Sequence, residues 1–110
     1  MFCFFINKIS KREAQPYDIN IEELFRKQSE GAIIVDVRSS QEYDEGHLNG
    51  AINIPYYEIN NNVDKILKDK NQEIVLYCEA GARSKKAYKR LIRLQYRKVY
   101  NLYGGLDNYD

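Results

Sequence analysis

The sequence predicts an α/β domain: a parallel or mostly parallel sheet with helices on both faces. Three observations predict it. Ala32-Ile33-Ile34-Val35 and Ile74-Val75-Leu76-Tyr77 are continuous apolar runs, the pattern of strands covered on both sides. The segments between and after them carry helical spacing and helix end signals. Strand and helix patterns then alternate from Tyr17 onward, an order that crossover connections in a parallel sheet accommodate.

Each element has its own local reason. Asn20 is a helix N-cap with Glu23 three places on, and Ile21, Leu24 and Phe25 supply an apolar stripe. Gly31 ends that helix, and the strand Ala32 to Val35 follows. Ser40 to Glu45 reads as a short helix capped by Ser39 or Ser40. Asn49-Gly50 is a turn before the strand Ala51 to Ile54, which Pro55 closes. Asn60-Asn61-Asn62 reads as loop, Val63 to Leu67 as a helix, and Lys70-Asn71 as its exit. Ile74 to Tyr77 is a buried strand that runs straight into Cys78. Arg83 to Leu94 is a helix with Ala87, Leu91 and Leu94 on one face, and Lys98 to Tyr103 is the last strand, ending at Gly104-Gly105.

At 110 residues the chain fits one domain with one hydrophobic core. Residues 1–16 mix apolar and basic residues without a period and are expected to form an arm to a domain spanning 17–110. The apolar start Phe2 to Ile6 is too short to span a bilayer. With no basic segment before it and no small-residue cleavage site, it is not read as a secretory signal. The formal charge of +1 sets no global bias toward nucleic acid or membrane, so electrostatic arguments are local. Cys3 and Cys78, the only cysteines, cannot make a metal quartet by themselves. A disulfide between them needs an oxidising compartment, and the simpler expectation is a cytoplasmic protein with reduced thiols and no metal or cofactor.

The chemistry concentrates where two buried strands end. Ligands collect at the carboxyl ends of strands in an open parallel sheet; one strand ends in Asp36-Val37-Arg38 and another in Cys78, which brings Asp36, Arg38 and Cys78 to one rim. After Cys78 come Glu79, Ala80, Gly81, Ala82, Arg83 and Ser84, then a helix. Small residues and a glycine let the backbone curl so that successive N–H groups point inward as an anion nest, and the helix start adds donors and its positive dipole end. A cysteine at the floor of such a cradle should be acidified. Lowering a thiol from its ordinary pKa of ~8.5 by about two units takes roughly 2.7 kcal/mol of differential stabilisation. The competing expectation for Cys78 is a small buried residue at a strand end; the Cys-x-x-Gly-x-Arg-Ser string between strand and helix favours the reactive one.

Four stretches in order carry a resemblance: Ile34-Val35-Asp36-Val37-Arg38; Glu42-Tyr43-x-x-Gly46-His47-Leu48-x-Gly50-Ala51-x-Asn53-Ile54-Pro55; Cys78-x-x-Gly81-x-Arg83-Ser84; and Val99-Tyr100-Asn101-Leu102-x-Gly104-Gly105. In these the chain resembles single-domain rhodanese (thiosulfate sulfurtransferase-like) proteins from about residue 17 to the end. The resemblance implies a three-layer fold on a five-stranded, mostly parallel sheet. It implies that Cys78 accepts a sulfane sulfur from thiosulfate or another small donor as a persulfide and passes it to a thiol, cyanide or protein acceptor. Glu79 to Ser84 would form the active-site loop, Arg83 would brace it and help draw in the anion, and Asp36 and Arg38 would support the rim, with Arg38 free to pair with an acid. Four residues separate Cys78 from Arg83. The related phosphatases have one more, a wider cradle for phosphate, so phosphatase or arsenate reductase activity ranks below sulfur transfer. A persulfide carrier or interaction module for a protein partner is the nearer alternative.

The remaining features have blander readings beside them. His47, the only histidine, stands in the Gly-His-Leu stretch and is expected to tie the loop after the short helix, because persulfide exchange needs no dedicated base. Cys3 could resolve a Cys78 persulfide only if the arm folds back. Arg83, Lys85, Lys86, Lys89, Arg90, Arg93, Arg97 and Lys98 form either a solvated outer face or a positive field that steers thiosulfate or an acidic partner; nucleic-acid binding is the least supported use. Two positions depart from the resemblance. Tyr109 stands where many relatives have tryptophan, and a closing helix is nearly absent, which bears on stability. Gln95 stands where many have a capping glycine, at a cost of about 1 kcal/mol if left-handed. A monomer is expected, since no exposed apolar stripe remains once the core is assigned.

Overall fold

The computed structural model describes residues 13–109; most of the expected arm, with Cys3, lies outside the described residues. Five strands, β1 (Asp18–Ile19), β2 (Ile33–Asp36), β3 (Ile52–Asn53), β4 (Ile74–Tyr77) and β5 (Val99–Leu102), form one sheet in the order β1-β5-β4-β2-β3. Every pairing is parallel. Helices α1 (Ile21–Ser29), α2 (Ser40–Asp44), α3 (Ile59–Ile66) and α4 (Ala82–Arg93) connect them, with short 3₁₀ turns at Tyr56–Glu58 and Leu106–Tyr109.

The period-2 alternation of the strands divides the core into two layers. Val35, Ile74, Leu76 and Val99 face α3 and α4, where Ile59, Val63, Leu67, Ala87 and Leu91 close over them. Ile34, Val75, Tyr77 and Leu102 face the other way, against Leu24 of α1, Tyr43 of α2 and Leu106 and Tyr109 of the final turn. The expected three-layer arrangement is therefore the observed one. Cys78, one step beyond Tyr77, continues the alternation onto the α4 side.

The helix caps follow the sequence. Asn20 accepts from the Glu23 N–H at 2.8 Å, and Ser39, rather than Ser40, caps α2 in a reciprocal capping box with Glu42. Two elements differ from expectation. β1 is only two residues long, and so carries no readable period; its pairing with Asn101 and Leu102 makes it a strand. The Asn60-Asn61-Asn62 tract is helix, not loop, because α3 starts at Ile59. Ile59, Val63 and Leu67, spaced four apart, are all buried, while Asn60 and Asn61 are exposed. Burial of one stripe outweighs the poor helix preference of asparagine.

Candidate active site

The site is built on the C-terminal ends of β2 and β4, neighbours in register along their whole length. Cys78 is 1% exposed and sits beneath the turn that leads into α4. Gly81 makes that turn possible: its φ of +103° lies in the left-handed region, which glycine enters without a side-chain clash. The turn aims the Gly81 N–H at Cys78 Sγ from 3.0 Å and brings the Ser84 N–H, in the first turn of α4, to 3.4 Å. The Cys78 thiol donates to Ser84 Oγ at 3.5 Å, and that hydroxyl donates to the Gly81 carbonyl at 3.2 Å. Ser84 is fully buried, whereas Ala80 and Ala82 face solvent.

Asp36 and Arg38 occupy the same rim but the opposite face of the sheet from the sulfur. Arg38 Nη2 and Nε bind the Asp36 carboxylate at 2.7 and 3.1 Å, and Nη2 also donates to the Gly46 carbonyl at 2.6 Å. Asp36, fully buried, accepts further from the Tyr77 hydroxyl at 2.7 Å. These bonds, Asp36 foremost, hold the Arg38 proton more tightly than in free arginine, against the opposing effect of burial. Burial, and then the bond to Asp36, push the Tyr77 phenol above its ordinary range. The third guanidinium nitrogen of Arg38, Nη1, reaches Glu79 at 3.4 Å. That contact ties the buried pair to the cysteine loop.

Arg83 is engaged from a third direction. Its Nη1 and Nη2 donate to the two carboxylate oxygens of Glu42 at 2.6 and 3.0 Å, a bidentate pair that fastens the start of α4 to α2. The Arg83 bond, together with the backbone bond from Ser39, lowers the Glu42 carboxyl to about 2. The bond to Glu42 in turn raises Arg83 above its ordinary range, against the opposing effect of burial. His47 is exposed, stacks on Tyr43 at 3.7 Å between ring centroids, and has Nδ1 at 2.7 Å from the Tyr43 carbonyl.

Sequence reasoning did not single out four contributors. Glu42 and Tyr77 are given partners only by the tertiary fold, although Glu42 lies in a quoted motif. Asn53 donates from Nδ2 to the Asp36 and Arg38 carbonyls at 2.9 and 3.0 Å. Gly105 backs the loop so closely that a Cβ there would lie 2.5 Å from the Glu79 carbonyl oxygen and 2.7 Å from that of Cys78. The paired glycines after β5 were the signal for it. Among the described residues no three histidine, cysteine, aspartate or glutamate side chains gather as a metal site, and no helix is long and apolar enough to cross a membrane.

A parallel sheet whose central strand delivers a buried cysteine into a tight turn, with main-chain N–H groups directed at its sulfur, places the chain among α/β domains built around a single cysteine. The chain belongs to the rhodanese-like domain family, which it matches over residues 20–110. It is 39% identical to the thiosulfate sulfurtransferase PspE of Escherichia coli over 72 residues, 66% of this chain and 68% of the relative. It is 35% identical to a tRNA uridine(34) hydroxylase of Hamiltonella defensa over 82 residues, covering 71% of this chain and only 23% of that protein's length. Among solved structures, a rhodanese with anions from E. coli superposes with a TM-score of 0.64 at 36% identity, covering 69% of this chain and 89% of the other.

Proposed function

We propose that the chain is a sulfurtransferase in which Cys78 takes a sulfane sulfur from thiosulfate or another persulfide donor and passes it to a thiol, cyanide or protein acceptor. The observation that carries this reading is the pair of main-chain N–H groups, Gly81 and Ser84, directed at Cys78 Sγ. Hydrogen bonds made to an anion favour the ionised form, and the thiolate is the reacting species. With the sulfur ionised, the Ser84 hydroxyl can turn its proton from the Gly81 carbonyl to Sγ and act as a third donor.

The Cys78 thiolate attacks the outer sulfur of thiosulfate. An Sγ–S bond forms as the donor's S–S bond breaks, and the electron pair leaves on sulfite. An acceptor thiolate next attacks the outer sulfur of the Cys78 persulfide. The Sγ–S bond breaks, its electron pair restores the Cys78 thiolate, and the acceptor departs as a persulfide. Neither step calls for a general base, which leaves His47 to its contacts with Tyr43. Glu79 to Ser84 form the loop around the sulfur, Arg83 braces it through Glu42, and the Asp36–Arg38 pair supports its rim. With four residues between Cys78 and Arg83, and both terminal nitrogens of Arg83 engaged by Glu42, the loop is less suited to a phosphate ester. The same reading places the chain in the cytoplasm, where thiols are kept reduced.

Similarity to a thiosulfate sulfurtransferase supports the same reading. Intact-mass spectrometry after thiosulfate treatment tests it. The expected result is a gain of about one sulfur mass, absent in Cys78→Ser and released by cyanide under the exchange chemistry above. An unmodified protein after every sulfur donor tried would overturn the proposal in favour of an interaction module.

A further inference from the structure

The chain's near neutrality conceals a sharp division of charge. Residues 83–98 contain eight lysines and arginines and no acid, which leaves nine basic against 16 acidic residues elsewhere, a balance of −7. Among the described residues, Arg83 is the one member of this group that pairs with a carboxylate, that of Glu42. Lys86, Lys89 and Arg93 are exposed and make no ion pair among the described residues. Their spacing of three and four puts them along one side of α4, and Ile92, 41% exposed, lies among them. The other end of the same helix holds the Cys78 loop, so a partner lying along α4 meets the sulfur at its amino end.

We propose that this face is the docking surface for a protein acceptor that presents an acidic patch beside its thiol. The inference rests on the sulfur-transfer reading for its purpose but not for its test. Charge complementarity selects carboxylates. An exposed isoleucine among the cations adds an apolar contact that a phosphate backbone would not use, and the acidic remainder of the chain would repel a long polyanion that overran the 12-residue helix. A compact acidic patch meets only the cations.

Binding is measured first, on the full chain carrying Cys78→Ser, so that no sulfur chemistry is needed. A labelled peptide with a serine flanked by glutamates is compared with its glutamine counterpart by fluorescence anisotropy. At about 20 mM salt the glutamate peptide is expected to bind about tenfold tighter, an advantage lost near 0.5 M salt as charges are screened. Lys86→Ala/Lys89→Ala/Arg93→Ala is expected to abolish the difference. With Cys78 intact and loaded, cysteine versions of the peptides should show the same ratio in transfer rate, while transfer to neutral 2-mercaptoethanol stays unchanged in the triple variant. Equal binding of the two peptides overturns the proposal, as does a preference that survives the triple substitution. So does tighter binding of a short single-stranded RNA, or a salt-sensitive dimer in light scattering, which would assign the face to phosphates or to a second copy. Failure of sulfur loading alone, with the binding preference intact, would count against the sulfur-transfer reading and leave the docking face standing.

Discussion

Glu42 performs two tasks with one carboxylate. Through Oε1 it accepts from the Ser39 N–H at 3.0 Å and closes the α2 capping box, and through both oxygens it holds Arg83. Glutamine can still serve the cap but forms no charged pair, so Glu42→Gln isolates the brace. Both partners are about one-third exposed, and solvent screening limits the expected cost to about 0.5–1 kcal/mol. The sign of the pH dependence follows from the carboxyl lying near 2 in the fold against an ordinary 4.5. Its stabilising contribution is complete above pH 4.5 and disappears as pH falls toward 2. Urea titrations should therefore separate wild type from Glu42→Gln at pH 7 and bring them together in acid. A constant gap across that range would mean that the pair contributes through packing alone.

The exit of α4 shows what an element does when the sequence withholds the usual residue. Gln95 adopts φ of +74°, its N–H bonds to Ile92 O at 3.0 Å, and the Tyr96 N–H bonds to Leu91 O at 3.1 Å. This is a Schellman closure with glutamine at the position glycine prefers. Tyr96, 2% exposed, compensates: it is buried against the α3–α4 core and its hydroxyl donates to Leu67 O and to Asp64, the latter at 2.9 Å. Gln95→Gly should raise stability by about 0.5–1 kcal/mol by relieving the left-handed strain, net of the added freedom of the unfolded chain. Calorimetry should show a rise of several degrees in Tm. A fall would mean that the glutamine side chain itself supports the turn. The resemblance pointed to this exit, through the glycine that many relatives carry there, but left open whether Gln95 would be left-handed. The Asn20 cap, the α2 cap at Ser39 or Ser40, and the β2 and β4 apolar runs were legible because caps and hydrophobic periods are local matters. β1 was not legible, since two residues have no period, nor was the start of α3, where three asparagines mask a stripe that only burial reveals. The Glu42–Arg83 and Tyr77–Asp36 contacts were beyond reach for a different reason. Each joins residues 41 apart in sequence, and no spacing rule spans a fold.

Across the whole molecule, the carboxyl end of the described chain is part of the site. Leu106 and Asp107 donate their N–H groups to the Cys78 and Glu79 carbonyls at 3.0 and 2.8 Å, and Gly105, at φ of +68°, lets the two backbones approach. A methyl group at residue 105 would collide with backbone atoms, which cannot swing aside as a side chain would. Gly105→Ala should cost about 2–3 kcal/mol and slow persulfide formation, because the loop must shift to admit it. Stability measured by urea and loading followed by mass spectrometry should fall together. An alanine variant with native loading and native stability would show that the contact is slack.

Those two main-chain bonds also join the fates of segments far apart in the chain. When the Leu106–Tyr109 turn lifts away, the carbonyls of Cys78 and Glu79 lose their partners in the same event, so the turn and the cradle are expected to open as one cooperative unit. Weakening the hold of Leu106 and Tyr109 on the sheet face opposite the sulfur should then speed amide exchange at Gly81 and Ser84 as well as in the turn; exchange confined to the turn would show the two to be uncoupled.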